Sequence, residues 1–444
     1  MAAAYDLQPS NSQTVGAVAQ QPPNQDAVLW ARLNELLQRS EDDKVDIVRL
    51  ESQAQGLDAG DNERPRTARA HTGQARDRTD GTTAGAISGG GLLNFKKSWL
   101  YANSRLPPGM LPFKAYLSTW ALISRAAKAS LDVYERPGRM QMDGYFNADP
   151  RNDTKAHSFR VQEVDDRKLL VCAIRGSTFN LFDWKRNFGF APKEPTGFLD
   201  DEGNGCHEGY LRIARSMIKI VAKQLRQLIE QDPSWDSSYL LFTGHSAGGA
   251  VASLLYMHML SKTISSDLTE LAGLFKRIHC ITFGVPPLTL LPLQTPSGKG
   301  RNKNIFLSFA SEGDLIVRVD WEYIKSLAKL IAAPAPRLEQ SGGRQQGCRQ
   351  KKTQDQTAPH PPKWPVPPSS LSTAGRLVLL REAPILNPSS KQTGNQRPKL
   401  EAVQLTDDQL RGTIFGDPAM HPMTLYKRRI DELMIAAVTG AEVG

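Results

Sequence analysis

The chain has 444 residues, 40% of them apolar and 7 of them Trp, enough for one sizeable core with appendages or for two to three small domains. Its formal charge is +9, but the basic excess gathers in polar stretches (Arg64 to Arg78, Arg344 to Lys352) and not among aromatics, which argues against a nucleic-acid groove. Cys172, Cys206, Cys280 and Cys348 have no spacing that suggests zinc or a disulfide framework, and the N-terminus lacks a basic start followed by an apolar stretch.

Residues 1–92 are expected to be largely disordered, being polar and rich in Gln, Asn, Pro and Gly, apart from a helix near 27–53. In that helix Leu29, Leu33, Leu36, Ile47 and Leu50 follow a 3-4 spacing interrupted by Ser40 and Asp43. Docking on its own domain and weak self-association are both readings of such a stripe. The folded domain is expected over 93–440. Ala115 to Tyr134 reads as a helix stopped by Pro137, and HSFRVQEV, DDR and KLLVCAIRG read as a β-hairpin. Tyr210 to Gln231 is helical, SYLLFTG is an apolar strand, and AGGAVASLLYMHML is the helix that follows it. RIHCITFG and NIFLSFA are two further strands. Residues 334–374, rich in Gln, Pro and Ser, are expected to form a flexible insertion, after which GRLVLLRE is a strand and TLYKRRIDELMIAAV the closing helix. Strands alternating with helices give an α/β fold: a mostly parallel sheet covered on both faces.

The stretch Gly244-His245-Ser246-Ala247-Gly248 lies between an apolar strand and a helix. That is the context in which G-x-S-x-G forms a sharp turn exposing a nucleophilic serine. A Cβ at Gly244 or Gly248 would meet the neighbouring backbone, and the N–H of Ala247 at the helix N-terminus can meet an oxyanion. Without chemistry, the same sequence is a Gly-rich strand-to-helix turn.

A serine needs a base and an orienting acid, expected in the chain order Ser, Asp or Glu, His. Four histidines follow Ser246. His258 falls within a helix, His279 within a strand and His360 within the Pro-rich insertion, so His421, in the loop after IFGDPAM, is the candidate base. Asp314 follows the strand NIFLSFA in SEGDLIV and is the candidate acid. Glu312 is a rival, Asp320 reads as the cap of a helix starting at Trp321, and Asp417 reads as a turn former. Ser177, at the end of LLVCAIRGS, is the candidate second oxyanion donor, beside the plainer reading of a turn that ends a strand.

Together AIRGSTFNLFDW, CHEGY, TGHSAGGA, ITFGVPP, SEGDLIVRVD and DPAMHPMTLY resemble, in order, the class 3 (fungal-type) lipase family and its diacylglycerol-lipase-like relatives within the α/β-hydrolases. The resemblance spans about Leu111 to Ala436 outside the insertion. It implies Ser246, Asp314 and His421 as a triad, with Ser177 and Ala247 at the oxyanion hole. The family usually has Leu where Ala247 stands, and an Asp downstream of the Trp that orients the oxyanion serine; here Asn187 occupies that place, with Asp183 a substitute. His207 in CHEGY matches the family pattern and reads as scaffold. Phe179, Leu181, Phe182 and Trp184 resemble a lid or acyl contacts.

The expected function is hydrolysis of lipid carboxyl esters, of di- or triacylglycerol type, through an acyl-enzyme, with no metal and no cofactor. Phospholipase A1 or another carboxylesterase on the same fold, and a non-catalytic lipase-like binding scaffold, are the alternatives. No run of about 18 apolar residues crosses the sequence. The expected location is intracellular and cytoplasmic, with the lipid ester as substrate and at most peripheral contact with a membrane or lipid droplet.

Overall fold

A computed structural model describes residues 95–135, 144–164, 167–177, 192–232, 235, 238–298, 301–336, 361–383 and 399–440. The helix expected near 27–53 lies outside these residues. So do Phe179, Leu181, Phe182 and Trp184, expected as a lid or acyl contacts, together with Asp183 and Asn187.

The frame is an eight-stranded sheet. Its strands are β1 (Tyr145–Phe146), β2 (His157–Val164), β3 (Arg167–Ile174), β6 (Tyr239–His245), β7 (Arg277–Phe283), β8 (Phe306–Ser311), β9 (Arg376–Glu382) and β10 (Leu400–Leu405), adjacent in that order. A small pair, β4 (Pro192–Lys193) and β5 (Cys206–His207), stands apart. The five central strands β3, β6, β7, β8 and β9 run parallel. β2 and β10 pair antiparallel at the two sides, and β1 extends the first. The central strands are continuous apolar runs because both of their faces are covered.

One face carries α2 (Glu208–Gln231) and α3 (Ala247–Met259), whose Leu211, Ala214, Val251 and Leu255 pack on Leu240, Phe242 and Cys280. The other face carries α1 (Leu117–Asp132) and α6 (Met423–Thr439), whose Trp120, Ile123 and Ile430 pack on Leu169, Leu241 and Phe309. Leu240 and Leu241 point to opposite faces, as the two-residue period of a strand requires. Every residue of α3 is buried, which is why that helix is apolar all round. α4 (Trp321–Ala332) and the short α5 (Asp407–Arg411) complete the helices named here. This is an α/β-hydrolase fold. Among the described residues, no helix is long and apolar enough to cross a membrane.

The insertion expected to be flexible over 334–374 needs correcting in its second half. Residues 337–360 lie outside the described ones, but 361–374 are packed in place. The Trp364 ring stands 5.3 Å from that of Tyr101. Its main chain exchanges two 2.9 Å hydrogen bonds with the Asn103 amide, and its Nε1 donates to Ser326 Oγ at 2.9 Å. Further on, Leu288 N donates to Ser372 O at 2.7 Å. Proline carries no N–H to satisfy, so a Pro-rich strap can lie against a surface without a ladder partner. β10 was not anticipated; its mixed pattern follows from its place at the sheet's edge, with Leu400, Ala402, Val403 and Leu405 buried.

Candidate active site

The site sits at the carboxyl ends of β6, β7 and β8. Ser246 links β6 to α3 with φ 56° and ψ −134°, a region that L side chains rarely occupy. Main-chain packing holds it there. A Cβ at Gly244 would lie 2.6 Å from the Gly248 carbonyl carbon, and one at Gly248 would lie 2.2 Å from Ile174 O and 2.8 Å from Gly176 N. Strand β6, helix α3 and the end of β3 therefore meet with no room for a side chain. The Ser246 N–H donates to Phe283 O at 2.9 Å, tying the elbow to β7. Ala247 opens α3, so its N–H is among the first of a helix, which have no intrahelical acceptor.

The end of β3 brings Ser177 toward the same place, since Gly176 abuts both Gly248 and the carbonyl of His245. Ser177 Oγ accepts a 2.9 Å hydrogen bond from Lys155 Nζ. Lys155 played no part in the sequence reading: it reaches Ser177 only because the β2–β3 hairpin folds its two ends together.

Asp314 is fully buried after β8 and caps the turn that follows, its Oδ1 accepting from Ile316 N at 2.8 Å. His421, also buried, directs Nδ1 at both carboxylate oxygens, 3.1 Å from Oδ1 and 2.9 Å from Oδ2. The pair lies against the elbow's neighbour on β7: a Cβ at Gly284 would stand 3.1 Å from Asp314 Oδ2 and 3.2 Å from His421 Cε1 and Nδ1. Gly284 has φ +57°, so its conformation and its close neighbours both disfavour a side chain. Asp314 and His421 thus meet beside the serine turn, from 107 residues apart in the chain.

Two tyrosines not considered in the sequence support this arrangement. Tyr426, on α6, donates from its hydroxyl to Asp314 Oδ2 at 2.7 Å and accepts from Ser311 N at 2.8 Å. Burial, and then the carboxylate beside it, push its pKa well above the ordinary tyrosine value, so it remains a donor. Tyr134, just past α1, lies 3.0 Å from His245 Nδ1. No local pattern marks either one, because each depends on which helix end the sheet brings alongside.

The rival residues are engaged elsewhere. Glu312 accepts from Leu106 N at 3.0 Å, and desolvation raises its pKa. Asp320 caps α4 through Tyr323 N at 2.8 Å, and Asp417 accepts from Trp99 Nε1 at 2.9 Å. His258 is held between Phe198 O and Ser266 Oγ, both at 2.8 Å, and His279 accepts from Ile305 N at 3.0 Å. His360 lies outside the described residues. His207 is buried, its ring 4.4 Å from that of Tyr210. It helps wall a cavity of about 200 Å³ with Tyr210, Pro286, Pro287, Asp320 and Trp321, between the loops that follow Gly284 and Asp314. Among the described residues, no cluster of His, Cys, Asp and Glu has the makings of a metal site.

Residues 171–322 match the lipase (class 3) family. The matched segment runs from within β3 to the start of α4 and contains Ser177, the whole elbow and Asp314. His421 lies beyond it and joins the class 3 lipase segment through its hydrogen bonds to Asp314. The match, over about a third of the chain, and the fold together support a lipase-type ester hydrolase. Among solved structures, the chain is similar to a lipase of Rhizopus microsporus var. chinensis at 12% identity, over 72% of this chain and 91% of that one, with a TM-score of 0.42. It is similar to a triacylglycerol lipase of Penicillium expansum at 17% identity, over 45% and 72%, with a TM-score of 0.31. A Rhizomucor miehei lipase propeptide complex is similar at 14% identity, over 73% and 91%, with a TM-score of 0.39.

Proposed function

We propose that the chain hydrolyses carboxyl esters of lipids, of the di- or triacylglycerol type, by way of an acyl-enzyme on Ser246. The observation that carries this reading is the buried His421–Asp314 pair beside a strained serine turn inside a class 3 lipase segment. His421 Nε2 takes the Ser246 proton as Oγ attacks the ester carbonyl, and Asp314 holds the Nδ1 proton and steadies the imidazolium. The developing oxyanion meets the N–H of Ala247 and the N–H and hydroxyl of Ser177. Lys155 donates to the Ser177 oxygen, leaving the serine's own proton to point at the oxyanion.

His421 then hands its proton to the departing alcohol, and the acyl group stays on Ser246. Water, deprotonated by the same nitrogen, releases the acid and restores the hydroxyl. A substrate of this kind is met at a lipid surface, where we place the protein as a peripheral visitor.

A fluorophosphonate probe should label the wild type and fail on Ser246→Ala. Assays on di- and triacylglycerols, phospholipids and short p-nitrophenyl esters should show the acylglycerols hydrolysed fastest. Ester hydrolysis undiminished in Ser246→Ala would overturn the reading, and a preference for phospholipids would change the substrate.

A further inference from the structure

Resting on that reading of Ser246, Asp314 and His421, we propose that His245 is the positioning residue that sets where His421 stands. Its Nε2–H clamps the main-chain carbonyl of His421, and Tyr134 fixes the tautomer that allows it.

The base comes from a segment with little regular structure to hold it. His421 follows a three-residue 3-10 turn, Pro418–Met420, and precedes Pro422 at the head of α6. Its carboxylate partner fixes the far side of the ring. Its main chain is tied to the elbow by His245, whose Nε2 lies 2.8 Å from His421 O. The clamp comes from the residue covalently joined to the nucleophile, so it ties the spacing of Ser246 and His421 directly to the elbow.

The proton positions follow from the partners. A carbonyl oxygen only accepts, so Nε2 of His245 carries the hydrogen. Nδ1 then presents a lone pair, and the Tyr134 hydroxyl meets it at 3.0 Å. That hydroxyl is admitted by Gly176, where a Cβ would lie 2.2 Å from it. One neutral imidazole thereby connects the end of β3, the elbow and the base loop. Burial, and then the nearby His421 ring, hold the pKa of His245 well below the ordinary histidine value, which keeps the ring in this neutral form. The two rings lie 4.5 Å apart at 35°, so a shift of one displaces the other. Both nitrogens of His245 are engaged, so it is a clamp and not a second base.

The test uses the full chain with His245→Phe, His245→Gln and Tyr134→Phe, and with Ser246→Ala and His421→Ala as controls. The readouts are kcat and KM on a short p-nitrophenyl ester, fluorophosphonate labelling rate, and Tm. Phe keeps the bulk and loses the donor. It should lower kcat and labelling rate on the order of tenfold to a hundredfold, the scale of a misplaced reacting group. KM should stay within about twofold, because substrate contacts are untouched. Gln, whose amide N–H reaches the same carbonyl, should recover most of kcat, and Tyr134→Phe should fall between.

The clamp is refuted if the Phe variant keeps full kcat, if Gln is no better than Phe, or if kcat falls only in step with Tm. Should Phe fail to fold, His245→Gln is compared with the shorter His245→Asn; equal kcat refutes the clamp. If Ser246→Ala or His421→Ala retains activity, the triad reading itself fails. Inactive controls beside an unimpaired Phe variant remove the clamp alone.

Discussion

Around Ser246 the contacts are main chain on main chain. Gly248 fits against Ile174 O and Gly176 N with no space for a Cβ, and the Ser246 N–H is bonded to a strand carbonyl. Around His421 the contacts are side-chain hydrogen bonds from four separated parts of the chain: Asp314 after β8, Tyr426 on α6, and His245 with Tyr134 behind it. The first half is built by the fold itself, so damage to it should register as lost stability. The second is fitted onto a finished fold, so damage to it should register as lost chemistry. The largest expected effect tests the second half. Asp314→Asn preserves volume but presents an amide to His421 Nδ1 and favours the wrong tautomer. It should lower kcat by about 10⁴-fold while Tm moves little. A comparable loss of Tm, seen by calorimetry, would erase the distinction between the halves.

Gly248→Ala is the counterpart in the first half. The new methyl would sit 2.2 Å from Ile174 O and 2.7 Å from the Arg175 carbonyl carbon, both backbone atoms that cannot swing aside. The end of β3 or the head of α3 must move, at a cost of about 3 kcal/mol or more. Denaturant midpoints should fall together with activity. A variant of native stability would show that the close approach is not structural.

Acid is the next probe. Burial holds His245, His157, His258 and His279 below the ordinary histidine pKa, the last at about 4. The unfolded chain takes up a proton at each site near pH 6.5 and the folded chain does not. Their stabilisation is therefore complete above about pH 6.5 and is lost as the pH falls from there toward 4, on the order of 3 kcal/mol from His279 alone. Glu312 and Asp320, whose pKa values burial raises, oppose part of this loss. Tm measured from pH 7 to pH 4 should fall, and His279→Gln should flatten the slope. An unchanged slope would show that His279 titrates normally.

The same division explains what could be read in the residues alone. The elbow is a local pattern, since strand, two glycines and helix are consecutive in sequence. The central strands are unbroken apolar runs, and their order along the chain is their order in the sheet. Asp314 and His421 were reached by placing them on loops and setting the other histidines on elements or in the insertion. Tyr134, Tyr426 and Lys155 gave no such signal, because their partners lie 111, 112 and 22 residues away. β10 and the strap around Trp364 were missed for a related reason. An edge strand has a mixed pattern, and a Pro-rich strap gains its burial from the distant Tyr101 and Ser326.

The smallest expected effect isolates the backbone at the centre of the first half. Ser246 holds φ 56° with a Cβ, at a cost of about 1–3 kcal/mol. Ser246→Ala removes the hydroxyl and keeps that cost, so its Tm should match the wild type closely. Ser246→Gly removes both, and gives back about 0.5–1 kcal/mol through the freer unfolded chain. A net gain near 1 kcal/mol should raise Tm by about 1–2 °C above the Ala variant, the shift expected for a domain of this size. Both variants should be equally inactive, so the difference in Tm reports the turn and not the chemistry. If Gly melts no higher than Ala, the neighbouring glycines are relieving the turn instead of enforcing it.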